Sequence, residues 1–427
     1  MGLFLNIAGW AVRLVILAVV VGGMAGCTML GLNYASLDTA GKTEAWPQIE
    51  GPTAKALVRN GSNWVDELED NVFGPFPIGI NSRVIEHRVV DPAFANGKGQ
   101  LEEYTIQMGE EPNAVLFNLA VVYPVGQQNT PLIVYQSFCG NRSAFQTTDL
   151  SEPLTPGGVD VCGGVDPGFS GTVISKVFGE YITSPPFEQI LDRGYTLAHF
   201  YASEIVPDSK DTAKAALSAF PAGEHGQPTG AVAAWAAGFS SAIDVLKTDP
   251  RINASQVTAM GHSRHAKSAL VAGAYDPEIE VVIAHQAGTG GAALSRFKKG
   301  ESVKSITKDY PHWFDPAYRR FDADGPFTTP VDMHVLIALN APRHVLLGNG
   351  RRDVWSDPNG TWRAAIGADA SFEAAGTQGL DQDGMRDRNL SASLSFYMRD
   401  GGHGIVQEDW DTFLTYMDNA FGRTAAE

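Results

Sequence analysis

Val257-Thr-Ala-Met-Gly-His-Ser263-Arg-His-Ala-Lys267 decides the reading of this chain. An apolar run ends in Gly-His-Ser and passes directly into a small-residue helix, Ser268-Ala-Leu-Val-Ala-Gly-Ala274. A serine at a sharp strand-to-helix turn is held exposed, with its hydroxyl within reach of a base. The amides that open the helix face a developing oxyanion. The usual pattern is G-x-S-x-G, and here His265 replaces the last glycine. Taken alone, a serine entering a helix is as well read as an N-cap. The partners must decide.

In α/β-hydrolases an acid and a histidine follow the serine, each at the end of a later strand. His344-Val-Leu-Leu-Gly348 runs into Asn349-Gly-Arg-Arg-Asp353-Val-Trp-Ser-Asp-Pro358, and Leu394-Ser-Phe-Tyr-Met398 runs into Arg399-Asp-Gly-Gly-His403-Gly. Both candidates sit on glycine-bearing loops just past a strand, where open α/β sheets place their sites. Singly, Asp353 could cap the helix near Pro358, as Asp357 could, and His403 could be a turn residue. Order, spacing and placement together predict a Ser263–His403–Asp353 triad.

The rest of the chain fits one large α/β domain. Alternating or apolar strands are expected at Arg83–Val90, Leu101–Met108, Val115–Tyr123, Pro131–Gln136 and Tyr195–Tyr201, then at 256–260, Glu278–Ala284 and the two strands above. Helices are expected over Trp64–Val72 and Val232–Leu246. Early antiparallel strands followed by alternating strand and helix describe the α/β-hydrolase fold, a mostly parallel central sheet with helices on both faces. Stretches 142–190 and 287–330 lack strong periodicity and read as loops framing the rim.

The formal net charge of −17, from 48 acidic and 31 basic side chains, argues against nucleic-acid binding and against an anionic membrane surface. No Walker motif, dinucleotide fingerprint or zinc-type Cys/His cluster is present, so no cofactor or metal is expected. Residues 1–27 read as a signal segment, with Leu14–Val21 too short to span a bilayer comfortably. Met24-Ala-Gly-Cys27 resembles the bacterial lipobox, which implies acylation of Cys27. Thr28 after it favours outer-membrane sorting, and an ordinary cleaved signal or an anchor are the alternatives. Either way the domain lies outside the cytoplasm. Residues 28–63 read as a tether and 64–427 as the catalytic domain. Cys139 and Cys162 remain, an even number in an oxidising compartment, and are expected to pair; two buried thiols are the other possibility.

These motifs resemble carbohydrate esterase family 15, the glucuronoyl esterases. Gly261-His-Ser263-Arg264-His-Ala-Lys267 keeps the Gly, Ser, Arg and Lys of that family's G-C-S-R-x-G-K, and Ala284-His-Gln286-Ala-Gly-Thr-Gly-Gly-Ala292 is similar to its P-Q-E-S-G-S-G-G-A. Gly300-Glu301, Pro311-His-Trp313, Asp332-Met-His334, Asp353-Val-Trp355-Ser-Asp-Pro358 and Gly402-His403-Gly404 are further family-like blocks. The resemblance implies that Ser263 attacks an ester carbonyl, that Arg264 stabilises the oxyanion, and that Lys267, Glu301 and Trp313 contact a glucuronate ring. Fungal members carry their acid where this chain has Gln286, which cannot hold an imidazolium by charge. The role therefore passes to Asp353, as in bacterial members. His262, in place of the family cysteine, is expected to pack under the turn. The expected substrate is an alkyl or aryl ester of 4-O-methyl-glucuronate, as in lignin–xylan linkages. An esterase on acetylated sugars or small carboxylate esters, and a binding lipoprotein that lost catalysis, are the competing readings.

Overall fold

The computed structural model describes residues 62–423 except 78, 156–161, 163, 166–174, 224–225, 297–299 and 322–330. The signal segment, Cys27 and nearly all of the tether lie outside the described residues.

Nine strands form one sheet in the order β1-β2-β3-β5-β4-β6-β7-β8-β9. They are β1 Ser82–Ala93, β2 Gly99–Met108, β3 Val115–Pro124, β4 Thr130–Ser137, β5 Thr196–Tyr201, β6 Ile252–His262, β7 Val281–His285, β8 His344–Gly350 and β9 Leu394–Arg399. The pairs β1/β2, β2/β3 and β3/β5 are antiparallel, and every other pair is parallel. This is the α/β-hydrolase sheet. All nine strands expected from sequence are present, with β6 longer at both ends than 256–260.

Strand alternation builds a core on each face. Leu132 and Val134 of β4 join one cluster while Ile133 and Tyr135 join the other, and Val345 and Leu347 of β8 oppose Leu346 in the same way. A period of two buried on both sides is what helices covering both faces require. Helices α1 Ala231–Leu246, α2 Arg264–Tyr275 and α3 Pro358–Ala374 contribute to the first core, through Trp235, Leu270 and Trp362 among others. Helix α4 Gln407–Ala420 covers the second with Trp410, Phe413, Leu414 and Met417.

The stretches expected as loops contain short helices: Asn141–Phe145, Phe187–Asp192 and Val303–Asp309. Each is only one or two turns long, too short for an apolar period to stand out. The Trp64–Val72 segment is an α-turn, Ser62–Leu68, continued by a π-helical turn, Glu69–Phe73. Cys139, two residues past β4, is disulfide-bonded to Cys162.

Candidate active site

Ser263 connects β6 to α2 with φ 57° and ψ −121°. A non-glycine residue there costs about 1–3 kcal/mol and persists only where its surroundings impose it. They do: the Ser263 amide donates to the His285 carbonyl at 2.8 Å. A Cβ at Gly261 would lie 2.1 Å from the His265 carbonyl oxygen, so the first elbow position must be glycine. The position of the missing last glycine is roomier. There the His265 ring is buried, with Nδ1 3.1 Å from Gln136 Oε1 on β4 and its edge against Trp235 of α1, 5.4 Å between centroids.

Asp353 follows β8 and His403 follows β9, so the parallel sheet delivers both to the edge that carries Ser263. His403 Nδ1 lies 2.7 Å from Asp353 Oδ2. Asp353 is 1% exposed and also accepts from the Ser356 amide at 3.4 Å, as N-cap of a short 3-10 turn. Asp357 takes the other capping role, accepting from the Gly360 amide at 3.0 Å at the start of α3. Burial by itself would raise the Asp353 carboxyl, but the charge and hydrogen bond of His403, with the Ser356 bonds, hold it below its ordinary value.

His262 lies beneath, as expected. It is buried, its ring centroid 4.6 Å from that of His403 and 5.3 Å from that of His285. Burial first, then the neighbouring His403 and His285, push its imidazole well below the usual range, so it stays neutral. Among the described residues no hydrogen bond joins Ser263 to His403, a contact commonly long before substrate binds.

Arg264 and Lys267 part company. The Arg264 side chain is 30% exposed, ion-paired with Asp208, and its guanidinium lies 4.9 Å above the Trp313 ring and 5.5 Å from Tyr310. Trp313 and Tyr310 stack at 3.9 Å. Trp313 Nε1 donates to Asp208 Oδ1 at 2.7 Å, and His312 Nε2 lies 2.9 Å from the same oxygen. Burial opposes ionisation of Asp208, but His312, the Arg264 charge and Trp313 outweigh it and keep the carboxyl well below its usual value. Lys267 is 4% exposed and donates to the carbonyls of Ala287 and Thr289, the second at 2.6 Å. Thr289 Oγ1 in turn donates to the Glu301 carbonyl at 2.6 Å, and the Glu301 amide to the Trp355 carbonyl at 2.9 Å. The structure therefore brings Arg264 and Trp313 into one cluster, and Lys267 and Glu301 into a second that backs the Asp353 loop.

Two features here were not anticipated from sequence. Asp208, in the loop after β5, had no motif to mark it. Trp355 was quoted only as part of a block, yet the residue is 57% exposed two positions from the acid, an unusual placement for tryptophan.

A family model for fungal glucuronyl esterases matches residues 178–376. A carbohydrate esterase of an unknown prokaryotic organism is 29% identical over 405 residues, covering 91% of this chain and 92% of that one. A 4-O-methyl-glucuronoyl methylesterase of Phanerochaete chrysosporium is 32% identical over 214 residues, 46% of this chain and 44% of the relative. Among solved structures, a promiscuous family 15 esterase from a marine bacterial metagenome superposes with a TM-score of 0.73 at 27% identity, over 89% of this chain and 98% of that chain. The glucuronoyl esterase of Solibacter usitatus superposes at 0.70 and 27% identity, over 86% and 93%.

Proposed function

The chain being a carboxylesterase of the carbohydrate esterase family 15, or glucuronoyl esterase, type with the α/β-hydrolase fold, we propose that it cleaves esters of 4-O-methyl-glucuronate through Ser263, His403 and Asp353. The observation that carries this reading is the 2.7 Å contact of a buried Asp353 with His403 at the sheet edge that holds Ser263 in a strained turn.

His403 takes the Ser263 proton as Oγ attacks the ester carbonyl. The oxyanion forms at the start of α2, where the Arg264 amide and guanidinium supply positive charge. Collapse expels the alcohol, which receives the proton from His403 and leaves an acyl-serine. A water, deprotonated by the same imidazole, then releases the acid. Asp353 holds the Nδ1 proton and stabilises the imidazolium in both halves. The exposed Trp355 offers a flat apolar surface to a pyranose or to an aryl leaving group, as a lignin–xylan ester presents, whereas Trp313 is 4% exposed in the core, beneath the Arg264 guanidinium. Lys267 supports the uronate side, through the Ala287–Thr289 backbone that its ammonium organises.

The test is turnover of methyl glucuronate against p-nitrophenyl acetate. Glucuronate turnover is expected, and Ser263→Ala is expected to lose about 10⁴-fold or more in kcat. Acetate turnover alone would refute the uronate reading in favour of small esters.

We further propose export and lipid anchoring at Cys27. The lipobox-like Met24–Cys27 and the Cys139–Cys162 bridge, which suits an oxidising compartment, support it. Palmitate incorporation abolished by Cys27→Ser is the expected result; incorporation that persists in the variant contradicts it.

A further inference from the structure

Gln286, which the family resemblance sets against the acid of fungal members, engages with its side chain the backbone on either side of His403. It directly follows β7 with φ 55°, in the left-handed region, and is buried. Its Nε2 donates to the Gly402 carbonyl at 3.0 Å, and its Oε1 accepts from the Gly404 amide at 2.8 Å. These two peptide groups bracket His403. The Gln286 amide donates to the Gly348 carbonyl at 2.8 Å, tying the same residue to β8, which leads to Asp353.

The bracketed loop has little to hold itself. It runs Gly401-Gly402-His403-Gly404, and Gly404 sits at φ 153°, where a Cβ would fall 1.9 Å from the Phe178 carbonyl oxygen. Glycines leave such a segment conformationally permissive. Beyond the Arg352 amide, which donates to the Gly401 carbonyl at 2.7 Å, fixing it falls to side chains. Arg399 Nη2 donates to the Gly402 carbonyl at 3.2 Å and to the Gly404 carbonyl at 2.8 Å, while its Nε lies 2.8 Å from both oxygens of the Asp409 carboxylate. His285 Nε2 lies 3.0 Å from the Gly404 carbonyl. These groups address carbonyls. Only Gln286 also takes the Gly404 amide, and the bracket needs a side chain with a donor and an acceptor at one end. A carboxylate supplies no donor, and its charge would face the Gly402 carbonyl.

We infer that Gln286 is a positioning residue, a neutral clamp that sets the His403 ring between Asp353 and Ser263. The inference rests on the triad reading. It makes the exchange of acid for amide at this position a gain of geometry in a chain whose acid sits on β8.

The test compares wild-type protein with Gln286→Met and Gln286→Glu, both of similar size. Three quantities are read: the rate at which a fluorophosphonate labels Ser263, kcat and KM on methyl glucuronate, and the melting temperature. Displacing a catalytic group by about 1 Å costs about 100-fold. Labelling rate and kcat are expected to fall together by about 10- to 100-fold, with KM within about twofold and Gln286→Glu impaired at least as much as Gln286→Met. Should either variant fail to fold, Gln286→Asn, one methylene too short to reach both groups, is expected to show the same split. Variants that label and turn over within about threefold of wild type, or a Gln286→Glu variant as active as wild type, overturn the inference. A wild-type Ser263 inert to the probe refutes the triad reading and the clamp with it, whereas a reactive wild type with equally reactive variants refutes the clamp alone.

Discussion

Two aspartates flank the elbow, Asp353 buried and Asp208 partly exposed, and they do different work. Asp353 holds His403, the proposed base, whose ring would gain and lose a proton in each turnover; Asp208 holds Arg264, whose charge is permanent, together with the Trp313 and His312 ring nitrogens. Both carboxyls are held below their ordinary value against the cost of burial, Asp353 by His403 and Ser356, Asp208 by His312, Arg264 and Trp313. Loss of the Asp353 contact strikes proton transfer itself. Loss of the Asp208 contact leaves the charge of Arg264 intact and only loosens its aim.

That difference orders the expected effects. His403→Ala removes the base, and kcat is expected to fall about 10⁴-fold or more with KM little changed. Arg264→Ala removes a charged group from the oxyanion end of α2, and a loss of about 10²- to 10³-fold in kcat is expected, the scale of one oxyanion-hole donor. Asp208→Asn keeps a hydrogen-bond acceptor for Trp313 but loses the ion pair, and about a tenfold loss in kcat is expected. In an Arg264→Ala background the Asp208→Asn loss should largely vanish, since residues in one network are not additive. A full tenfold loss there would show that Asp208 acts on something other than Arg264.

The smallest effect is on stability. A carboxyl depressed in the folded state contributes stability that is fully present above its unfolded pKa, about 3.9 for aspartate. That stability drains away as pH falls through the folded value. Between pH 5 and pH 3, wild-type protein should therefore lose more melting temperature than Asp208→Asn, which lacks that proton-binding site. Parallel curves would argue that Asp208 is not depressed by its partners.

The two aspartates also differ in how visible they were in the sequence. Asp353 follows an apolar strand and precedes a proline-started helix, and a parallel sheet sends such residues to a common edge. Strand period and chain order therefore located it, with Ser263 and His403. Strands β2 to β9 were legible for the same reason: alternation, or a continuous apolar run, survives in sequence because each face of the sheet has its own core, while β1 keeps its strand pattern although largely exposed. Asp208 lies in Val206-Pro-Asp-Ser-Lys210, without period or motif, and meets Arg264 from 56 residues away. Such pairings are set by loop paths that local pattern does not encode. Lys267 shows a subtler limit. Helical spacing placed it on the serine's side of α2, but not that its ammonium would meet the Ala287 and Thr289 carbonyls. Gln286 was legible only as an acid that is missing, since its partners are backbone groups with no identity in the sequence. The reading did not reach α4, although Trp410, Phe413, Leu414 and Met417 carry the helical period that marks it.

The central claim is that the β8 aspartate supplies the acid for the histidine while the residue at 286 does not. Its most direct test is kcat on methyl glucuronate for Asp353→Asn in the full-length protein. The account predicts a fall of about 10⁴-fold with KM near the wild-type value, the cost of leaving a catalytic histidine in the wrong tautomer. Activity within about tenfold of wild type would contradict it and return the acid to another residue.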